Sequence, residues 1–512
     1  MTERYRGAMV NDVADLRVGN RFAALPERFY TRLPARGPSA PRLLHANAEA
    51  AALLGLAAPA LDSPAFLALV AGHAPLVGGK TLAAVYSGHQ FGVWAGQLGD
   101  GRAHLLGDVD GPQGRWELQL KGSGMTPYSR MGDGRAVLRS SVREYLAAEA
   151  MVGLGIPSTR SLALVASDDP VRRETMETAA VVTRMAPSFV RFGSFEHWAA
   201  AGDTEALLAL LDHVVDNHYP ECRVDPKQPL AAGRTALQLL AAVATRTARL
   251  MAQWQAVGFC HGVMNTDNMS ILGLTLDYGP YGFMDGTHVG HICNHTDVQG
   301  RYAWNRQPTV GLWNLYRLAG ALQPIVQDEA ALKAVLADYE AQFTLAFNRS
   351  MGAKIGLDAL EEDEDIELVD DLLALMHSQR ADFTLTFRRL ADAVRGDTAP
   401  VLALFSDPVP IKRWIERLLA RHAASERDFA DVKHCASSAE HTANAMDAVN
   451  PLYVLRNHLA EQAIVAAQAG DPGEIERLMA VLRRPFEAQS GASAYAELPP
   501  AWANELEISC SS

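Results

Sequence analysis

Polar and apolar residues alternate in two runs, Ala103–Val109 and Arg115–Lys121, on either side of Asp110-Gly111-Pro112-Gln113-Gly114. Period-two alternation around a Gly/Pro-rich turn predicts a β-hairpin. In the second run Trp116, Leu118 and Leu120 share one face, and Glu117, Gln119 and Lys121 share the other. A helical period then fits Ala136 to Val152 and is closed by Gly153 and Gly155 before Pro157. Strand-like pieces follow at Ser161–Ala166 and Ala179–Arg184. Beyond about residue 196 long amphipathic helical patterns take over, at Ala236–Val257, Ala330–Ser350, Glu367–Val394 and Ile411–Ala424. The pattern predicts an α+β chain: a β-rich part over 1–195, a larger helical part over 196–490 and a short tail over 491–512. The run Glu361-Glu362-Asp363-Glu364-Asp365 reads as a solvated loop or helix start, because like charges in sequence repel.

Bulk properties narrow the function. With 512 residues the chain can bury one large core or two smaller ones. A net charge of -13 argues against a nucleic-acid partner, which needs a basic face. No apolar run spans a bilayer: the Ala/Leu-rich stretch over 47–72 is cut by Glu49, Asp62 and Pro64. The first residues carry no apolar signal core, so a cytoplasmic protein without membrane partners is expected. The five cysteines, Cys222, Cys260, Cys293, Cys435 and Cys510, are scattered and form no CxxC pair, which leaves no structural zinc motif. By spacing alone Cys293 and Cys510 are two free thiols.

Candidate chemistry concentrates in His261-Gly262-Val263-Met264-Asn265-Thr266-Asp267-Asn268 and the following Leu276-Asp277-Tyr278-Gly279. The layout is that of a protein-kinase catalytic loop, His-Arg-Asp, four residues, Asn, followed by the Asp of a metal-binding triplet. Val263 stands where the kinase places its catalytic Asp, and Val accepts no proton. Asp267 is the nearby carboxylate able to act as base on a hydroxyl, or else a loop cap. Asn268 and Asp277 are hard oxygen donors suited to Mg²⁺ completed by water and phosphate, or else Asx turns. Lys121 at a strand end, followed by Glu144 on the next helix, can form an ion pair that aims an ammonium at phosphates; alone it would be a solvated edge residue. Arg184 and Arg191 suit oxyanion clamping. Glycines in Gly96-Gln97-Leu98-Gly99-Asp100-Gly101-Arg102, Gly122-Ser123-Gly124 and Met131-Gly132-Asp133-Gly134-Arg135 would let backbone N–H groups approach an anion. Gly78-Gly79-Lys80-Thr81 mimics the end of a P-loop, but Ala74 stands where its first Gly is needed, and it is rejected.

Taken together these residues resemble the selenoprotein O family. The likeness runs through Tyr86-Ser87-Gly88-His89-Gln90-Phe91-Gly92, Gly99–Arg102, Leu118–Gly124, Arg139–Tyr145, Gly262–Ser270, Leu276–Phe283, Gln307-Pro308, Asn450-Pro451 and Ser509-Cys510-Ser511-Ser512. The resemblance implies a protein-kinase-like two-lobed fold and an adenylyltransferase that moves AMP from ATP to Ser, Thr or Tyr hydroxyls of proteins. It implies an inverted triphosphate held by Lys121, Glu144, Arg184 and Arg191, with nucleotide contacts from Gly99, Gly101, Arg102, Asp133 and Gly134. Asn268 and Asp277 would bind Mg²⁺ or Mn²⁺, Asp267 would accept the proton, and Cys293 with Cys510 would form a redox-linked pair. The residues by themselves leave two alternatives, a kinase-like phosphotransferase and a silent ATP-binding scaffold.

Overall fold

The computed structural model describes residues 9–358, 360, 362–428 and 435–508. A ten-stranded antiparallel sheet organises the first part of the chain. Short strands β1 (Val18–Gly19), β2 (Tyr30–Arg32) and β3 (Arg42–Ala46) frame it. Helices α1 (Ala48–Leu53) and α2 (Pro64–Val70) cover its outer face. Next come β4 (Leu82–Gln90), β5 (Val93–Gly99), β6 (Ala103–Gly111) and β7 (Gly114–Lys121). The predicted hairpin is β6–β7, with both strands running further into the turn than the alternation suggested. Gly78–Thr81 leads into β4 rather than a helix, as its rejection as a P-loop requires.

Strand β8 (Ala136–Val137) precedes α3 (Leu138–Gly153), which starts two residues later than predicted because Ala136 and Val137 pair with β10. Strands β9 (Arg160–Arg172) and β10 (Met176–Ala186) then complete the sheet, and both outrun their predicted cores. Leu118 and Leu120 face the outer core with α1 and α2, while α3 packs across the inner face.

The rest is helical: α4 (Phe192–Ala200), α5 (Thr204–His218), α6 (Ala231–Ala256), α7 (Gln307–Val326), α8 (Glu329–Ala337), α9 (Tyr339–Lys354), α10 (Asp363–Gln379) and α11 (Phe383–Val394). After these come α12 (Ala399–Leu402), α13 (Pro408–Asp428), α14 (Cys435–Val449), α15 (Asn457–Gln468) and α16 (Gly473–Leu482). Two single helices expected from periodicity are each two. Ala330–Ser350 breaks at Asp338, and Glu367–Val394 breaks where Arg380 takes a left-handed φ of +55°. Asp382 then caps α11 by accepting from the Leu385 N–H at 2.8 Å. Apolar spacing continues through both breaks, so periodicity could not mark them. The acidic run also differs from expectation. Asp363 opens α10, but Asp365 is fully buried and takes a two-pronged ion pair from Arg421 at 2.7 and 3.1 Å. Glu361 lies outside the described residues.

One core cluster runs from Phe22 through β4, α3 and β10 to α6, α7, α15 and α16. A second fills the space between α9, α10, α11, α13 and α14. Among the described residues no helix is long and apolar enough to cross a membrane.

Candidate active site

Strand register assembles the first part of the site. In the β7–β10 ladder Lys121 lies opposite Val182, and Gln119 opposite Arg184. Alternation turns Gln119 and Lys121 to the face covered by α3, where Glu144 waits. Glu144 Oε2 meets Lys121 Nζ at 2.6 Å, and Oε1 accepts from Arg184 Nη1 at 3.0 Å. Arg184 Nη2 also donates to the side-chain Oε1 of Gln119. Asp277 joins the cluster from the other side. It accepts from Arg184 at 2.5 Å and from Arg191 at 2.7 Å, with Lys121 Nζ 3.7 Å away. Its φ of +59° is a left-handed conformation that Asp tolerates better than most residues and that turns its carboxylate inward. Burial works against the charge on Asp277, yet Arg184, Arg191 and Lys121 together hold its carboxyl well below the ordinary range. Burial also pulls the Lys121 ammonium down, with Glu144 opposing.

The loop from His261 to Asn268 supplies the second part. His261 is buried against Trp254, and its Nε2 meets the Leu276 carbonyl at 3.0 Å, which fixes the residue before Asp277. Arg143, beside Glu144, reaches the Tyr281 carbonyl at 2.7 Å and ties α3 to the same segment. Asn268 Nδ2 donates to the Val263 carbonyl at 3.0 Å, so its Oδ1 points the other way. Asp267 is buried. Its Oδ2 accepts from Gln90 Nε2 at 3.1 Å, and its Oδ1 has no hydrogen-bond partner among the described residues. Burial lifts its carboxyl to about 6, against the Gln90 bond and the charge of Arg191. Arg191 also donates to the Asp267 carbonyl at 2.8 Å and lies over the Tyr86 ring at 4.5 Å.

Both groups line one cavity of about 660 Å³, together with Gly99, Gly101, Arg102, Asp133 and Gly134. The sequence-predicted residues are therefore brought together, apart from the cysteines. The glycines also have a packing role. A β-carbon at Gly99 would fall 2.5 Å from the Tyr128 ring, one at Gly101 2.8 Å from the Tyr128 carbonyl, and one at Gly134 2.2 Å from the backbone of Gly124. They let the 124–134 segment fold tightly against the sheet edge, at the wall of the cavity. Asp133 sits at the rim and is held by Arg173 at 2.8 and 3.0 Å. Cys293 has no disulfide partner among the described residues; its Sγ lies 2.8 Å from the Pro280 carbonyl, and burial raises its pKa well above the ordinary value. Cys510 lies outside the described residues.

Gln90, Tyr86, Gln119 and Arg173 belong to the site but were not singled out from sequence. For Tyr86 and Gln90 a signal existed: they fall on alternating positions of β4, with Gly88 between them packed against Thr266 and Asp267.

The match to the family described as "Protein adenylyltransferase SelO" covers residues 12–483. The chain belongs to that family. It is 67% identical over 505 residues to the "Protein nucleotidyltransferase YdiU" of Bordetella parapertussis, covering 97% of this chain and 99% of that protein. The YdiU proteins of Paraburkholderia xenovorans and Burkholderia multivorans are 53% and 52% identical, each over 96% of this chain and 95% of its own length. Family membership thus spans the whole β-sheet, the cation–carboxylate cluster and the helices behind it. It makes the chain one of a family of protein nucleotidyltransferases, with ATP as the substrate that adenylyl transfer implies.

Proposed function

We propose that the cavity binds ATP and transfers its AMP to a Ser, Thr or Tyr hydroxyl of a protein. The observation that carries this reading is the surplus of cations on the cavity wall: seven Lys and Arg side chains, Lys121, Arg184 and Arg191 among them, face five carboxylates, Asp100, Asp133, Glu144, Asp267 and Asp277. Such a cluster is short of negative charge and suits a polyphosphate. Val263 lines the cavity where a kinase would hold its base, while Asp267 offers a carboxylate on the wall of the same cavity. That arrangement favours a reaction whose attacking hydroxyl meets Asp267 rather than position 263. The sheet with α3, followed by the helices, supports a protein-kinase-like reading with a small β-rich N-lobe over 1–195, a helical C-lobe over 196–490 and a tail over 491–512.

In this reading the Asp267 carboxylate takes the proton of the acceptor hydroxyl. The freed oxygen attacks the α-phosphorus, and the bond to pyrophosphate breaks with its electron pair leaving on oxygen. Arg184, Arg191 and Lys121 hold the triphosphate inverted, with the α-phosphorus toward the acceptor, and neutralise the departing pyrophosphate. Arg102, Asp133 and the glycines at 99, 101 and 134 form the rest of the nucleotide wall. Asn268 and Asp277 would hold Mg²⁺ or Mn²⁺, which would supply further neutralisation of phosphate charge. Their donor set fits: Asn268 Oδ1 is turned away from its own loop, Asp277 is firmly ionised, and such ions take few protein oxygens. His295 meets the Ile508 carbonyl through both its backbone N–H and Nδ1 at 3.1 Å, which supports a redox pairing of the nearby Cys293 with Cys510. Use of ATP favours a cytoplasmic setting.

The test is transfer from ATP labelled at the α or the γ position, with Mg²⁺ or Mn²⁺ present. Protein-bound α label is expected. Bound γ label would assign phosphotransfer, and no bound label would assign a scaffold.

A further inference from the structure

The turn between β4 and β5 is a wall between two cavities. Gln90 and Phe91 line the large one, and His89 and Trp94 line a second of about 290 Å³. Gln90 reaches Asp267 at 3.1 Å. Two residues on, a β-carbon at Gly92 would fall 3.0 Å from the Arg301 guanidinium. Two residues of extended chain span at most about 7 Å. The second cavity therefore opens within a few residues' reach of the carboxylate assigned as base.

Its chemistry is unlike that of the nucleotide cavity. Ala199, Ala200, Gly320 and Ala321 leave room, and Trp94 and Tyr316 form exposed aromatic walls. Phe91 and Val93 of the same turn are 38% and 70% exposed, which extends the apolar surface toward the nucleotide cavity. Glu196, 5% exposed, closes the second cavity on one side. One of its oxygens lies 2.6 Å from His89 Nδ1, and the other, Oε2, is buried with no hydrogen-bond partner among the described residues. An apolar chamber with one unsatisfied acceptor suits a side chain that is aromatic along its length and carries a single donor. Next to it, Arg301 and Arg317 lie over the ring of Trp313, at 4.6 and 5.0 Å from its centre. Neither guanidinium has a carboxylate ion pair among the described residues, although the chain carries 59 acidic against 46 basic residues.

We propose that this face docks the acceptor protein. The small cavity takes a Tyr or Trp side chain whose O–H or N–H donates to Glu196 Oε2. Arg301 and Arg317 take a neighbouring Asp or Glu of the same segment, and the segment crosses the β4–β5 turn so that its hydroxyl arrives at Asp267. The proposal rests on the AMP-transfer reading for its acceptor and adds the recognition chemistry.

The experiment measures fluorescence anisotropy of short labelled Ser-containing peptides with the full chain. One peptide carries Glu-Glu-Trp, one Lys-Lys-Trp and one Glu-Glu-Ala. The Glu-Glu-Trp peptide is expected to bind about tenfold tighter than either of the others. Arg317→Glu should reverse the Glu-over-Lys preference. Gly320→Trp should reduce the Glu-Glu-Trp peptide to the level of Glu-Glu-Ala. A β-carbon added at Gly320 meets nothing within 4 Å among the described residues, and an unchanged melting temperature with unchanged ATP binding is the control that the plug leaves the fold intact. Equal affinity for the three peptides, or indifference to both substitutions, overturns the proposal. Self-association in sedimentation that is abolished by Gly320→Trp would assign the face to a second copy of the chain and overturn it as well. Transfer of α label to the peptides is read separately. Label without peptide preference sinks the docking face and leaves AMP transfer standing, whereas preference without label supports the docking face and sinks AMP transfer.

Discussion

Two buried ion clusters in this molecule use the same side chains in opposite proportions. Around Asp277, three cations (Lys121, Arg184, Arg191) share two carboxylates. Around Arg456, one guanidinium serves two carboxylates, Asp285 and Asp382, with the Asp382 bonds at 2.8 and 3.0 Å. The second cluster is internally occupied: Asp382 also caps α11, and the Asp285 carbonyl accepts from the Phe383 N–H at 2.8 Å. It pins two loops together. The first lines a cavity and keeps positive charge to spare. The proportion of cation to carboxylate, rather than burial or bond length, distinguishes the cluster that lines the cavity from the one that joins two loops.

Substitutions can break that contrast. Asp277→Ala removes the carboxylate on which the cations converge, and α-label transfer should fall on the order of 10⁴-fold. Transfer near the wild-type rate would mean that the first cluster is only a staple. Asp267→Asn should lower kcat about 10³-fold while ATP binding, measured by calorimetry, holds. Because the Asp267 carboxyl titrates at about 6, the wild-type rate should climb through that pH to a plateau. The sign for stability is the reverse. A carboxyl raised by burial binds its proton more tightly folded than unfolded, so stability falls as pH rises from about 4 to 6. Asp267→Asn should therefore melt higher than wild type at pH 7, which a thermal scan would record.

Arg456→Met should cost about 3–5 kcal/mol in denaturant unfolding, since it strands Asp285 and Asp382. The activity of the molecules that remain folded should be unchanged, and a specific loss of ATP binding would erase the distinction between the clusters. Lys354 sharpens the comparison from its far end, a buried cation over the Phe387 ring at 4.5 Å whose ammonium burial alone pulls down to about 7. Below pH 7 the folded protein bears the full cost of that buried charge. Between about 7 and 10 the folded amine is neutral and the cost fades. Lys354→Met should thus stabilise by about 2 kcal/mol at pH 6 and by less at pH 9, as denaturant midpoints at the two pH values would show.

Much of this was legible in the chain, for identifiable reasons. The β6–β7 hairpin and the placing of Lys121 opposite Glu144 follow from period-two alternation and from a helix that begins close after the strand. Asp267, Asn268 and Asp277 were legible because loop spacing carries over into space. The break at Arg380–Asp382 was not, because apolar spacing continues across it and Asp382 is fixed by Arg456, far along the chain. Asp365 looked solvated because its partner, Arg421, lies 56 residues away. The glycines at 99, 101 and 134 were recognised as part of the site, but their reason, close packing against Tyr128 and Gly124, exists only in three dimensions.

The core that begins at Phe22 and reaches Leu482 joins residues from nearly both ends of the described chain, with α15 and α16 resting on the helix that carries Glu144. Within this cluster sheet and helices share one interior, distinct from the one between α9, α10, α11, α13 and α14. Heating should produce one cooperative transition across this body, and nucleotide held at Lys121 should move that transition upward as a whole.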